Sequence, residues 1–129
     1  MENPKEYKEH RSHNAEGDEQ AALFEWAEFA TGRHPELRLM YHIPNGGHRH
    51  IGVARKLKAE GVKAGVPDIF LPAPKGKFHG MYLEMKTGYN NTTKRQKRWI
   101  ENLSEQGYFC AICWGMEDAI QALEEYLTQ

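Results

Sequence analysis

Several classes of protein are excluded by what this sequence lacks. No apolar run in its 129 residues approaches the roughly 20 that a membrane helix needs. Two cysteines are too few for a disulfide framework, and their setting predicts reduced thiols. The six prolines and twelve glycines form no repeat or low-complexity linker. The N-terminal stretch MENPKEYKEHRSHNAEGDE has no apolar segment of the kind a secretory signal carries, which predicts a cytoplasmic chain. What is present is 40% apolar residues with three Trp and six Tyr, a composition that suits one compact domain rather than a disordered tail.

Net charge is also nearly absent, at −1, but its distribution is uneven. Residues 1–48 carry five basic and nine acidic side chains, residues 49–98 twelve and three, and residues 99–129 none and six. A cationic block inside a near-neutral chain points to a polyanion, because Lys and Arg neutralising phosphates supply most non-specific nucleic-acid affinity. The three acids inside that block are Glu60, Asp68 and Glu84.

Residues 1–15 are polar and aperiodic, which predicts a flexible N-terminal arm ahead of a single domain over residues 16–129. From Asp18, the spacing of Leu23, Trp26, Ala27 and Ala30 predicts an amphipathic helix that ends at Gly32 and Pro35. Leu37 to Ile43 reads as a strand, running into the loop signal Pro44-Asn45-Gly46-Gly47. A short helix follows over Val53 to Glu60. Asp68 to Leu71 and Gly80 to Lys86 read as an antiparallel hairpin joined by a long loop. Thr93 and Gln96 match a capping box that opens a helix to Gln106. Tyr108 to Trp114 reads as a buried strand and Met116 to Leu127 as a final helix. The order α-β-α-β-β-α-β-α predicts an α/β fold with a mixed central sheet flanked by helices.

Strand alternation places Tyr82, Glu84 and Lys86 on one face and Met81, Leu83 and Met85 on the other. The hairpin brings Asp68 to the same end of the sheet, so two carboxylates and an ammonium converge. Two adjacent carboxylates repel unless a cation lies between them, and Mg²⁺ suits a site with few carboxylates, several waters and phosphate oxygens. At the start of the capped helix, Lys94, Arg95, Lys97 and Arg98 oppose the helix macrodipole, so a compensating anion is expected there. Asn45 and Arg49, in and beside the glycine loop, offer close backbone approach and a guanidinium fork for phosphate.

Gly65-Val66-Pro67-Asp68 and Glu84-Met85-Lys86 resemble the two halves of the PD-(D/E)XK nuclease motif. Over Glu16 to Leu127 the chain is similar to the stand-alone, phage or bacterial type of virus-type replication-repair nuclease (VRR-NUC) domain. That likeness is carried by Asp18-Glu19-Gln20 with Trp26, Ile43-Pro-Asn-Gly-Gly-His-Arg49, Leu57-Lys-Ala-Glu-Gly61, Gly65-Val-Pro-Asp68, Glu84-Met-Lys86, Thr93-x-x-Gln96 and Gln106-Gly-Tyr108. The resemblance implies a restriction-endonuclease-like core and a metal-dependent endonuclease. Asp68, Glu84 and the Met85 backbone carbonyl would hold Mg²⁺, for which Mn²⁺ substitutes, and Lys86 would act at the attacked phosphate. A glutamate on the first helix completes such sites; Glu19 is the first choice and Glu16 the second. The resemblance also places Gln96 beside the site, and its stand-alone members suggest a Holliday junction resolvase in a bacterial or phage-infected cell. A single metal site per chain then implies a homodimer.

Three other readings compete. A nonspecific or nicking nuclease would share every residue above. A DNA-binding module that has lost catalysis would be expected to lack an acid or the lysine. Cys110-Ala-Ile-Cys113 matches CxxC, but its odd spacing on a strand turns the thiols to opposite faces, and no second pair completes a zinc site.

Overall fold

Alternation along one central strand sets up the two layers of the molecule. In the computed structural model, which describes residues 4–44 and 50–129, that strand is β4 (Met81–Lys86). With β1 (Lys5–Tyr7), β2 (Tyr41–His42), β3 (Ile69–Leu71) and β5 (Phe109–Trp114) it forms a five-stranded sheet of order β1-β5-β4-β3-β2. The expected hairpin is present: β3 and β4 pair antiparallel, with Ile69 opposite Leu83. The strand-helix-strand crossover gives β4 and β5 in parallel, with Lys86 opposite Trp114. Strand β2 pairs antiparallel with β3 at one edge.

Met81, Leu83 and Met85 face helices α1 (Glu16–Ala30) and α4 (Met116–Leu127), meeting Leu23, Ala27, Ala119 and Leu123 in the larger core. Alanines at these helical positions let the backbones lie close to the sheet. The opposite face is covered by α3 (Lys94–Glu105), whose Ile100 packs with Cys110, Ile112 and Trp114 in a smaller cluster that Tyr82 joins. Cys113 lies in the larger core and Cys110 in the smaller, and both thiols are free. The fourth helix, α2 (Ile51–Ala59), buries none of its residues.

Two expectations change. Residues 5–7 of the supposed arm are β1, paired in parallel with β5 at the far edge of the sheet. Only Tyr7 of this strand is buried, so its alternation is too short to stand out in a charged segment. Residues beyond it are tied down as well: the Ser12 amide donates to the Trp114 carbonyl, and the Gly88 amide donates to the Ser12 carbonyl. The strand expected over Leu37 to Ile43 begins instead as the end of a 3-10 helix, Pro35–Leu39. Pro35 sets a helical φ at its first turn and Leu37 is the residue it buries, leaving only Tyr41–His42 to pair.

Candidate active site

Antiparallel register brings the acids together. Continuing the pairing of Ile69 with Leu83 by one residue sets Asp68 opposite Glu84. Asp68 Oδ2 accepts a 2.7 Å hydrogen bond from the Met85 amide, which fixes its carboxylate across the strand end. On the face toward α3, the Lys86 ammonium lies 3.4 Å from Glu84 Oε2. All three side chains are buried, with Asp68 7%, Glu84 2% and Lys86 6% exposed.

Gln96 links this cluster to α3. Its Oε1 accepts from Lys86 Nζ (2.8 Å) and from the Thr93 amide (2.9 Å), and its Nε2 donates to Glu84 Oε2 (3.0 Å). The expected capping box is formed, with Thr93 Oγ1 accepting from the Gln96 amide. Capping and contact with the acid-lysine pair are therefore one arrangement: the helix start that Gln96 caps is the helix start that delivers it to Glu84.

Burial and like charge dominate the electrostatics. Burial, then the neighbouring Asp68 carboxylate, push the Glu84 pKa up to about 8, against the lowering pull of Lys86. Burial also raises Asp68, with the Met85 amide and the charges of His42 and Lys86 acting in the other direction. A pair of acids that resists double ionisation is short of positive charge. Glu84 Oε1 is moreover buried without a hydrogen-bond partner. An orphan carboxylate oxygen beside a second carboxylate is the donor set a hard divalent cation takes, and Mg²⁺ commonly binds through one or two carboxylates and completes its shell with water. Among the described residues no three His, Cys, Asp or Glu side chains converge as a ligand cluster.

The first helix contributes differently from the expectation. Glu19 does not join the cluster: its Oε1 accepts from the Met116 amide at 2.9 Å, satisfying the N-terminus of α4. Glu16 is the residue whose charge is felt by Glu84, and its own pKa is raised by burial and then by Asp68. Helical phase explains the difference. Glu16 lies two turns before buried Leu23, within about 20° of its direction, whereas Glu19 is about 40° to the other side. His42, which sequence alone reads as a surface or nucleic-acid-facing residue, donates its Nδ1–H to the Asp68 carbonyl at 2.8 Å, steadying the entry to β3. A histidine two residues before a proline-glycine loop gives no local sign of that role.

Lys94, Arg95, Lys97 and Arg98 are exposed at the front of α3. Lys94, Arg95 and Arg98 line a groove of about 510 Å³ that reaches Thr93 and Gln96, while Lys97 lies outside it. Asn45 and Arg49 lie outside the described residues.

A family model described as the VRR-NUC domain matches residues 14–117. The chain belongs to the VRR-NUC family. This VRR-NUC chain is also similar to a solved structure described as a VRR_NUC domain protein, at a TM-score of 0.75 and 28% identity over 89% of each chain. No curated protein matches it. Membership makes the chain a nuclease of the PD-(D/E)XK type, an enzyme whose substrate is DNA, and its mixed sheet with flanking helices agrees with that fold. Nucleases of this superfamily typically need a divalent metal. No helix among the described residues is long and apolar enough to cross a membrane.

Proposed function

We propose that this VRR-NUC chain is a structure-specific, Mg²⁺-dependent endonuclease that hydrolyses phosphodiester bonds in branched DNA, resolving Holliday junctions as a homodimer in the cytoplasm of a bacterial or phage-infected cell. Mn²⁺ should substitute. The observation that carries the reading is the orphan Glu84 Oε1 beside Asp68, one such acidic pair among the described residues of the chain. Two symmetric nicks across a four-way junction then call for two chains related by a two-fold axis.

In this reading Asp68, Glu84 and the Met85 carbonyl hold the ion, with Glu16 rather than Glu19 as the acid contributed by the first helix. When bound, the ion supplies positive charge to the scissile phosphate and makes a nearby water more acidic. Lys86, oriented by Gln96 and Glu84, offsets charge developing on the phosphoryl oxygens. Lys94, Arg95, Lys97 and Arg98 hold the flanking phosphates, together with Asn45 and Arg49. Phe24 and Phe78 pack against the core and Tyr82 stacks on Phe70, whereas Phe29 and Tyr89, 82% and 75% exposed, are aromatic side chains a dimer face could use.

The test combines mass with cleavage. Light scattering should give about twice the 14.9 kDa chain mass. Four-way junctions should be cut in preference to flaps and linear duplex, with Mg²⁺ but not in EDTA. A monomer that cuts all three alike would leave a general or nicking nuclease. A folded protein that binds DNA and cuts none with any divalent ion would leave a silent binding module.

A further inference from the structure

A second groove lies beside the acidic site and is not used by the chemistry above. It occupies about 710 Å³ between α2, the segment after it, and the outer face of α3. Its apolar lining includes Leu57, Val62 and Trp99, and its cations are Lys58, Lys63, Arg95 and Arg98. The groove that reaches Gln96 shares Ala64, Arg95 and Arg98 with it, so the two form a continuous path from the acidic centre. Among the described residues no carboxylate lines either.

One wall of this path is built by close backbone packing. Gly65 has φ +92°, and a Cβ there would lie 2.6 Å from Arg95 Cγ and 3.1 Å from Trp99 Cδ1. The segment entering β3 thus lies directly against Arg95 and Trp99, holding both side chains along the groove. Helix α2 forms the other side without burying any residue, so Leu57 and its neighbours are not committed to the core.

An apolar floor with an indole, rimmed by cations alone, matches one chemistry. Unpaired nucleotides offer base faces and phosphates together, whereas a duplex covers its base faces by stacking and presents chiefly phosphate. We propose that this groove binds an unpaired segment of the DNA strand next to the scissile phosphate, its bases against Leu57, Val62 and Trp99 and its phosphates on Lys58, Lys63, Arg95 and Arg98. The proposal rests on the reading of the acidic centre as the cutting site; in a four-way junction the unpaired segment would come from base pairs opened at the branch point.

Binding is measured in EDTA, by anisotropy of a labelled oligothymidylate and of a blunt duplex of equal length. The parent should prefer the single strand, and Trp99→Ala and Leu57→Asp should each weaken its binding by about ten-fold with little change for the duplex. Leu57 is only half-buried and lies on a helix with no buried residue, so Leu57→Asp tests the groove even if Trp99→Ala fails to fold. Oligothymidylate should also quench the parent's tryptophan fluorescence, and Trp99→Phe should remove that quenching. Single-strand binding unchanged in folded Leu57→Asp, or equal losses for strand and duplex, would overturn the proposal. Cleavage by the parent is scored separately with Mg²⁺. A protein that cuts DNA with an unaltered Leu57→Asp phenotype sinks the groove alone. One that binds the strand in the groove and cuts nothing sinks the assignment of the cutting site alone.

Discussion

Asp118 and Glu84 are the two most buried acids among the described residues, at 0% and 2% exposure, and they are used in opposite ways. Asp118 sits in the first turn of α4, where both its oxygens accept from the His10 amide at 3.0 and 3.1 Å and Oδ1 also meets His10 Nδ1. Its acceptors are occupied, and its charge suits a helix N-terminus. Glu84 has one oxygen engaged by Gln96 and Lys86 and one with no partner, next to a second carboxylate. The difference teaches that burial of an acid does not by itself mark a site; unused acceptor capacity does. Asp118 spends its charge on joining the N-terminal segment to α4. Glu84 keeps one acceptor oxygen unused.

The contrast can be broken most directly by substitution. Asp68→Ala, Glu84→Ala and Lys86→Ala should each lower DNA cleavage by at least about a hundred-fold while circular dichroism stays native. Asp118→Ala should do the reverse, lowering stability by about 1–3 kcal/mol in denaturant titrations because His10 loses its acceptor, with cleavage per folded molecule retained. Full activity in the first set would show that Glu84 is as architectural as Asp118.

A second handle is pH. Native Glu84 holds its proton up to about pH 8, whereas in the unfolded chain it titrates near its ordinary 4.5. The native state therefore binds more protons in that interval, and the stability this provides is present below about pH 4.5 and lost as pH rises toward 8. Thermal melts of metal-free protein should fall across this window, and Glu84→Gln should flatten the fall. Added Mg²⁺ should raise the melting temperature more at pH 8 than at pH 6. An equal Mg²⁺ effect at both would separate the ion from Glu84.

Smaller effects sharpen the comparison within α1 and α3. Glu16→Gln should reduce cleavage by about ten-fold or less at constant stability, while Glu19→Gln should cost about 1 kcal/mol of stability through α4 and leave cleavage nearly intact. Replacing Lys94, Arg95 and Arg98 together should weaken DNA binding and flatten its salt dependence by about three phosphate contacts, whereas Lys97→Gln should change the slope by one or less.

Much of this architecture was legible because it follows from local rules. The alternation of Met81 to Lys86, the Thr93–Gln96 capping box and the stripe of Ala119, Leu123 and Leu127 each declare a face or a boundary, and the structure follows them. Asp68, Glu84 and Lys86 could be brought together from the hairpin alone. The choice between Glu16 and Glu19 is finer: both lie on the sheet-facing stripe, helical phase favours Glu16, and the position of α4 shows that Glu19 is taken up elsewhere. The groove beside Trp99 was equally hidden. It depends on a glycine with positive φ and on a helix that packs without burial, and neither leaves a periodic trace.

Strand β1 has a consequence for how the molecule comes into being. Its partner, β5, is more than a hundred residues away, so β1 must wait for all the intervening chain before it can pair. Until Trp114 has emerged, Ser12 has no carbonyl to bond, and the loop after Lys86 lacks the brace that Ser12 gives to Gly88. A long wait for a distant partner slows folding, and an unfinished edge is open to wrong pairing. Pulse-labelled hydrogen exchange during refolding should find the Ser12 and Gly88 amides protected after those of α3. A nascent nuclease would then acquire the brace beside its acidic centre only once β5 has been made, which delays the onset of cutting until that strand is in place.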